Sequence, residues 1–500
     1  MDIFNTTITA GAMIIQYLSA CSEFSSDAKA LKAGLEWDLR ALTQAQKYFS
    51  SGEFEKGNQY REPDEVALME RTAEYLNFLV HKVHKSLHKI ERGDRLSHTI
   101  NMTTWIARRS QIQGMAREIH EWTGRFDVRV LSLPGQVRTS ISAADGGKES
   151  IRQSSIIGSG DKLQEFLALS STAKIAGAKD ILLQAPDGII AQLKAIQDIS
   201  SLPFRYGDCQ VTFCSREVPA ECRPGTSDFE MLVRQMGELA AALTCLDPDM
   251  DVRLLKVNYY FYHPDSNQFL FAQALPYNVH SIMTLQEYIK YDPFPGTKTT
   301  LNERLKLAYK LSESIFFLHT AGFLHKNITS RSVVILRRFT GQDEELCIPT
   351  GIDEAYLMGF DLIRGVDAKT YKEGTRNEHD NASQRNVWDF DIFQHPVRLQ
   401  GDNSPRYIKA HDVYSLGVVL LELGFWQPLP TVVGLIDQGN PSHWANFLLH
   451  IAPGMRQRVG ARYHRVVDWC LSLEGDHDVK NIEFMQKVLD PLEEIMNVLA

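Results

Sequence analysis

FLHKNITSRSVVIL, residues Phe323 to Leu336, and YLMGFDLIRG, residues Tyr356 to Gly365, are the stretches on which the reading of this chain turns. The first has a histidine and a lysine, His325 and Lys326, followed by Asn327, and no acidic residue as far as Ser332. The second carries its one carboxylate, Asp361, after Gly359 and Phe360. Upstream, Leu301 to Thr320 reads as one long helix. Downstream, HDVYSLGVVLLELG (His411 to Gly424) sets Asp412 at the head of an apolar run.

In this order the three segments resemble the catalytic core of protein kinases. Against the catalytic-loop pattern H-R-D-L-x-x-x-N, His325 stands at the histidine and Lys326 at the arginine. Asn327 then occupies the place of the catalytic aspartate, and Ser332 that of the metal-binding asparagine. Phosphoryl transfer needs a carboxylate to accept the substrate proton and oxygens to hold Mg²⁺ against the phosphates. Asn327 has neither the basicity nor the charge. The D-F-G pattern stands here as Gly359-Phe360-Asp361, so its outer residues look exchanged and the metal-ligating position has no side chain. His325 and Phe360 are packing members of the motifs, and Asp412 matches the aspartate that ties down the catalytic-loop backbone in that family. The resemblance implies an α+β bilobal kinase-like fold with no catalytic residues, no metal site and no cofactor, a pseudokinase. Chance similarity in a helical protein is the alternative, against which the order and spacing of three segments argue.

The nucleotide end of the resemblance is equally bare. A phosphate-cradling loop needs clustered glycines, yet nothing leading into the candidate strand Gln210 to Arg216 offers one: Gly188 and Gly207 stand alone. The V-A-I-K lysine has no clear counterpart. Arg216 is nearest in type and reads as a solvated strand-end charge. Glu230 and Glu238, on the helical stretch Asp228 to Thr244, could each take the position of its glutamate partner. Without a lysine opposite, both read as surface charges.

The chain has 500 residues and a formal net charge of −9, with 44% apolar and 23% charged residues. That exceeds one ordinary domain and leaves a large N-terminal remainder beside a kinase-like unit of roughly 250 to 300 residues. The composition is that of a globular protein, and the acidic balance argues against nucleic-acid partners. Seven cysteines without metal-ligand spacing read as reduced intracellular thiols. The N-terminal stretch carries Asp2 and no basic region, so no secretory signal is expected and a cytoplasmic location is.

Residues 1–135 read as helical throughout. Ile3, Phe4, Ile8, Ala12, Ile15 and Leu18 give a mostly apolar first helix. Asp27 is a candidate cap for the second, which runs to the Ser51-Gly52 break. Pro63 starts a third helix ending at Gly93, and a fourth runs from about Leu96 to Leu131. Four elements with short connections predict an all-α four-helix bundle.

Within this part, SSDAKALKAGLEWDLRALTQAQKYF (Ser25 to Phe49) resembles the start of fungal HeLo-like helical domains. With the kinase-like half, the domain order is similar to that of mixed-lineage-kinase-domain-like pseudokinases. The resemblance implies a bundle that self-associates and acts on membranes in regulated cell death or fungal incompatibility, with the kinase-like part as regulator. It also implies movement from the cytoplasm to the plasma membrane on activation. Candidate membrane-contact residues are Ile3, Phe4, Ile8 and Ile15 on the first helix and Lys82, Lys85, Arg108 and Arg109 on the third and fourth, the cations facing anionic lipids. A buried bundle helix and solvated charged faces are the plain alternatives. His81, His84 and His88 lack completing ligands and do not read as a metal site.

Residues 136–200 read as a flexible linker followed by two helical stretches, Asp161 to Lys174 and Asp187 to Ile199, serving as a brace between domains or as a simple spacer. Residues 201–500 are the kinase-like domain, with a small lobe over 201–278 and a large lobe over 279–500. In the small lobe, strands over Val211–Arg216, Leu254–Tyr262 and Gln268–Leu275 are expected, the last two forming a hairpin at His263 to Asn267. Thr370, Tyr371, Thr375 and Ser383 fall in a polar activation-like segment and are candidate phosphorylation sites. A divergent active kinase using Asp361, or a scaffold that binds other helical domains without touching lipid, stay open as alternatives. The upstream activator is not legible.

Overall fold

In the computed structural model, the residues described are 3–22, 25–50, 63–93, 102–131, 133, 188–193, 204–206, 209–219, 222–244, 252–291, 299–338, 352–359, 364–365, 390–400, 404–429, 432 and 441–499. The chain divides into two compact units, Met1–Gln164 and Glu165–Ala500, a division that falls inside the expected linker.

In the first unit, α1 (Ile3–Cys21), α2 (Ser26–Phe49), α3 (Pro63–Gly93) and α4 (Met102–Leu131) pack side by side. Each brings a stripe of helical spacing to the shared core: Ile14 and Leu18, Leu35, Leu39 and Leu42, Leu76, Leu79 and Val83, Ile112, Met115 and Ile119 are all buried. The cap of α2 is Ser25, not Asp27: the Ser25 hydroxyl accepts the Ala28 amide at 3.3 Å, leaving Asp27 to the favourable first turn. Arg129 is buried against the Tyr75 ring, its guanidinium carbon 3.8 Å from the ring centre.

The second unit combines helices with small antiparallel sheets, an α+β composition. Helix α5 (Ile189–Leu193) precedes a four-stranded sheet of order β1-β2-β4-β3, from β1 (Phe204–Tyr206), β2 (Cys209–Glu217), β3 (Val257–His263) and β4 (Gln268–Ala274). Alternation along the strands sorts the two faces. Val211, Phe213, Phe261, Leu270 and Ala272 form one cluster with Ile189 and Leu193 of α5. On the opposite face, α6 (Ser227–Thr244) sets Phe229 against Tyr262 and Phe269, with ring centres 5.2 and 5.6 Å apart. The β3–β4 hairpin turns at Pro264–Asn267, where Asn267 adopts φ of 51° and its amide bonds Pro264. Leu254 stands outside β3, making an isolated parallel bridge to Leu357.

Then follow β5 (Val279–Thr284), α7 (Leu285–Tyr291), α8 (Leu301–Thr320), β6 (Phe323–Leu324), β7 (Val333–Arg338), β8 (Ala355–Leu357) and β9 (Arg364–Gly365), with β5, β7 and β8 in one sheet and β6 paired to β9. Thr300 and Glu303 form a reciprocal capping box that starts α8. Helix α9 (Lys409–Phe425) is buried along its length from Ala410 to Phe425, as its all-round apolar sequence requires. It is approached closely by α11 (Arg456–Leu471): a Cβ on Gly417 would lie 2.7 Å from that of Cys470, so only glycine admits the contact. Helix α10 (Pro441–Ile451) precedes α11. The C-terminal helical stretch runs as α12 (Asn481–Phe484), a π-helical turn over Met485–Leu489 and α13 (Asp490–Leu499).

Candidate functional site

The loop between β6 and β7 is held from below by one carboxylate. Asp412, in the first turn of α9, is fully buried and accepts four hydrogen bonds. The backbone N–H of His325 donates to Oδ2 and that of Lys326 to Oδ1, each at 2.8 Å. His319 Nε2, near the end of α8, lies 2.9 Å from Oδ2, and the Tyr407 hydroxyl donates to Oδ1 at 2.9 Å. A buried charge is tolerable when its acceptor sites are filled this way. Burial works to raise the Asp412 pKa, but the His319 hydrogen bond and the other donors hold it below its ordinary value. His325 is pushed down to about 4 by burial against the opposing pull of Asp412, and burial also lowers His319. Both donated amides come from consecutive residues, and Lys326 meets that demand with a φ of 66°, a left-handed conformation costly for a residue with a Cβ. The Lys326 ammonium sits 5.8 Å from the Tyr407 ring centre, and its carbonyl accepts from Gln394.

Above this anchor three of the motif positions come together. Asn327 Nδ2 lies 3.5 Å from the Gly359 carbonyl. The Ser332 hydroxyl is occupied within its own turn, accepting the Thr329 amide and donating to the Thr329 carbonyl, each at 2.9 Å. The Ser332 carbonyl accepts the Met358 amide at 2.7 Å. Gly359 has a φ of 81°, and a Cβ there would stand 2.9 Å from Ser332 Cβ and 3.1 Å from Asn327 Nδ2. The space a side chain at 359 would need is filled. Asn327, Ser332 and Gly359 supply amide, hydroxyl and backbone groups at their meeting point, and among the described residues no carboxylate joins them. Phe360 and Asp361 lie outside the described residues, as do Thr370, Tyr371, Thr375 and Ser383.

On the α6-facing side of the four-stranded sheet, Thr212 and Gln273 are register partners. Both are fully buried, and among the described residues the Thr212 hydroxyl and both ends of the Gln273 amide have no hydrogen-bond partner. Sequence reasoning passed over them, although Thr212 is a lone polar residue between Val211 and Phe213. Arg216, expected as a solvated charge, is instead buried: it falls on the covered face of β2, two residues beyond Cys214. Glu230 is exposed, and the side chain of Glu238 lies outside the described residues.

Helix α9 carries a second buried acid, Glu422. Its Oε1 accepts the Leu429 amide at 2.9 Å. Burial pushes its pKa up to about 7, against the weaker lowering effects of Ser330, the Leu429 amide and Lys290.

The candidate membrane-contact residues are distributed over three helices of the first unit. Ile3, Phe4 and Ile8 lie on α1 with side chains outside the described set, and Ile15 is half-buried. Lys82 is half-buried, with its ammonium 5.4 Å from the Phe78 ring centre, and Lys85 is exposed. Arg108 is half-buried, and Arg109 pairs with Asp27. Among the described residues no helix is long and apolar enough to cross a membrane, and no group of three metal-ligating side chains occurs.

No protein-family profile matches the chain. A stretch of 127 residues, 25% of the chain, is 28% identical to eukaryotic translation initiation factor 2-alpha kinase 1 of Mus musculus and covers 17% of that protein's length. Part of the chain is thus similar to part of a protein kinase, far short of that protein's full extent.

Proposed function

We propose that residues 201–500 form a bilobal kinase-like domain that has lost phosphoryl transfer and serves as the regulator of the N-terminal helices. One observation carries the reading: among the described residues Asn327 Nδ2 lies 3.5 Å from the Gly359 carbonyl with no carboxylate beside them, and a Cβ at 359 would stand only 2.9 Å from that of Ser332. A phosphotransferase needs acidic oxygens there to bind Mg²⁺ and take the substrate proton. Meanwhile the anchoring of the loop on Asp412 is complete, so what persists is shape and rigidity.

In this reading residues 1–135 are a HeLo-like four-helix bundle that self-associates and acts on anionic membranes in regulated cell death or fungal incompatibility, moving from cytoplasm to plasma membrane on activation. Residues 136–200 are the linker and brace between the two. Supporting the linkage is α5, whose Ile189 and Leu193 are buried on the four-stranded sheet, so the chain leading out of the linker is fastened to the regulator. The membrane part is tested by dye release from anionic vesicles, comparing the intact chain with chain cut at an engineered protease site between Gln164 and Glu165. Leakage that appears only after cutting supports a restrained bundle. Its absence in both states favours a scaffold that never touches lipid.

A further inference from the structure

Helix α11 is broken at Gly460, whose φ of 85° and ψ of 164° leave the helical region. The segment Ala461–Leu471 therefore begins a new helix, with the unsatisfied N–H groups and positive dipole end that any helix start presents. Open space lies on the side where a Cβ of Gly460 would be. His464 stands one turn in, and helical side chains lean back toward the start of their helix. His464 is only 3% exposed, and among the described residues neither of its buried ring nitrogens has a hydrogen-bond partner, a cost the fold gains nothing from by itself.

The charges around the ring are specific. Arg456, before the break, and Asp468, one turn further along, are the groups that act on His464 electrostatically. Arg456 and Arg465 are exposed. The neighbouring Arg462 is taken by Glu494 at 2.8 Å, and Arg458 by the Phe425 carbonyl. Cations on both sides of the break exclude a metal ion and favour a doubly charged anion, the ligand that helix starts and guanidinium groups recognise together.

We propose that the break in α11 is a binding site for a phosphate monoester, held by the N–H groups of the Ala461 turn, by His464, and by Arg456 and Arg465. Tyr463, between Arg462 and His464, donates to the Leu420 carbonyl of α9 at 2.8 Å. A ligand that orders this turn therefore bears directly on the helix that carries Asp412. The site is independent of whether the kinase-like cleft is catalytic.

The test is calorimetric titration of the full chain with inorganic phosphate at constant ionic strength near neutral pH, in wild type, Arg456→Ala and Arg465→Ala. Both arginines are exposed, so the variants fold, which their unchanged melting without phosphate verifies. Wild type is expected to bind in the millimolar range, with about tenfold weakening in each variant, the scale of one lost charged contact. A parallel arm measures sedimentation with phosphatidylcholine vesicles containing phosphatidic acid. Vesicle binding that falls in Arg456→Ala supports the site with a lipid headgroup as ligand. Phosphate binding without vesicle binding supports it with a soluble phosphate monoester. No heat with wild type, or equal affinity in wild type and variants, overturns it.

Discussion

Replacing Asp412 by Asn keeps the shape of the α9 start and removes one acceptor oxygen from a site serving four donors. The two oxygens are used differently: Oδ1 takes the Lys326 amide and Tyr407, and Oδ2 takes the His325 amide and His319. Whichever way the Asn amide turns, its NH₂ group faces one of the two backbone N–H groups, neither of which can reverse its role. That amide is left buried and unpaired, at about 1–3 kcal/mol, and the bonds that remain lose the charge that roughly doubled their strength. Depending on which way the amide turns, either the His319 ring or the Tyr407 hydroxyl can accept from the new NH₂ and recover part of the loss. The net cost is about 3–5 kcal/mol, with no cavity term because the side chains are isosteric. Some of it appears as release of the Lys326 backbone from its φ of 66°. Urea unfolding of the full chain, followed by circular dichroism and tryptophan fluorescence, reads this as a lower midpoint in the transition of the second unit at unchanged slope. Because the folded pKa of Asp412 is depressed, its contribution is present above the unfolded value and is lost only as pH falls through the folded one. The penalty should therefore be the same throughout roughly pH 6 to 8. A loss below about 1 kcal/mol would refute the claim that this carboxylate organises the loop.

Three further outcomes follow from the same geometry. Glu422 has the opposite sign: with a folded pKa of about 7 against an ordinary 4.5, it stabilises below the unfolded value and that contribution fades as pH rises through 7. Glu422→Gln, which keeps the acceptor for Leu429, should then match wild type near pH 5 and exceed it by up to about 3 kcal/mol near pH 8 in the same urea assay. Gly359→Ala should cost about 2–4 kcal/mol, from a left-handed backbone position and from contact with Ser332, checked by the shift in urea midpoint. Leu193→Ser, which removes an almost wholly buried anchor of α5, should speed proteolysis near residue 193 and lower stability by about 2–4 kcal/mol; equal cleavage rates would detach α5 from the sheet.

Much of this architecture is legible in the residues because local rules suffice there. Leu301–Thr320 is bounded by a capping box at one end and by Gly322 just past the other, and the helix begins and ends where those signals stand. Pro63 and Gly93 bound α3 in the same way. The β3–β4 hairpin follows from aromatic alternation on either side of Pro264 to Asn267. What the sequence hides is tertiary. Arg216 looks like a strand-end charge because its covering elements are distant in the chain. Ser25 and Asp27 are both good caps, and only the φ of −143° at Ser25 decides between them. The partners of Asp412 come from three separate stretches, so His319 and Tyr407 give no sequence signal of their role. The break at Gly460 is likewise invisible, since its helical neighbours read straight through.

Whether the meeting point of Asn327, Ser332 and Gly359 can run phosphoryl transfer is measured by adding ATP and Mg²⁺ to the purified full chain, with phosphate transfer followed by radiolabel and binding by thermal shift. No Mg²⁺-dependent transfer is expected from wild type, and none from Asp361→Ala. Transfer by wild type that disappears in Asp361→Ala would contradict it.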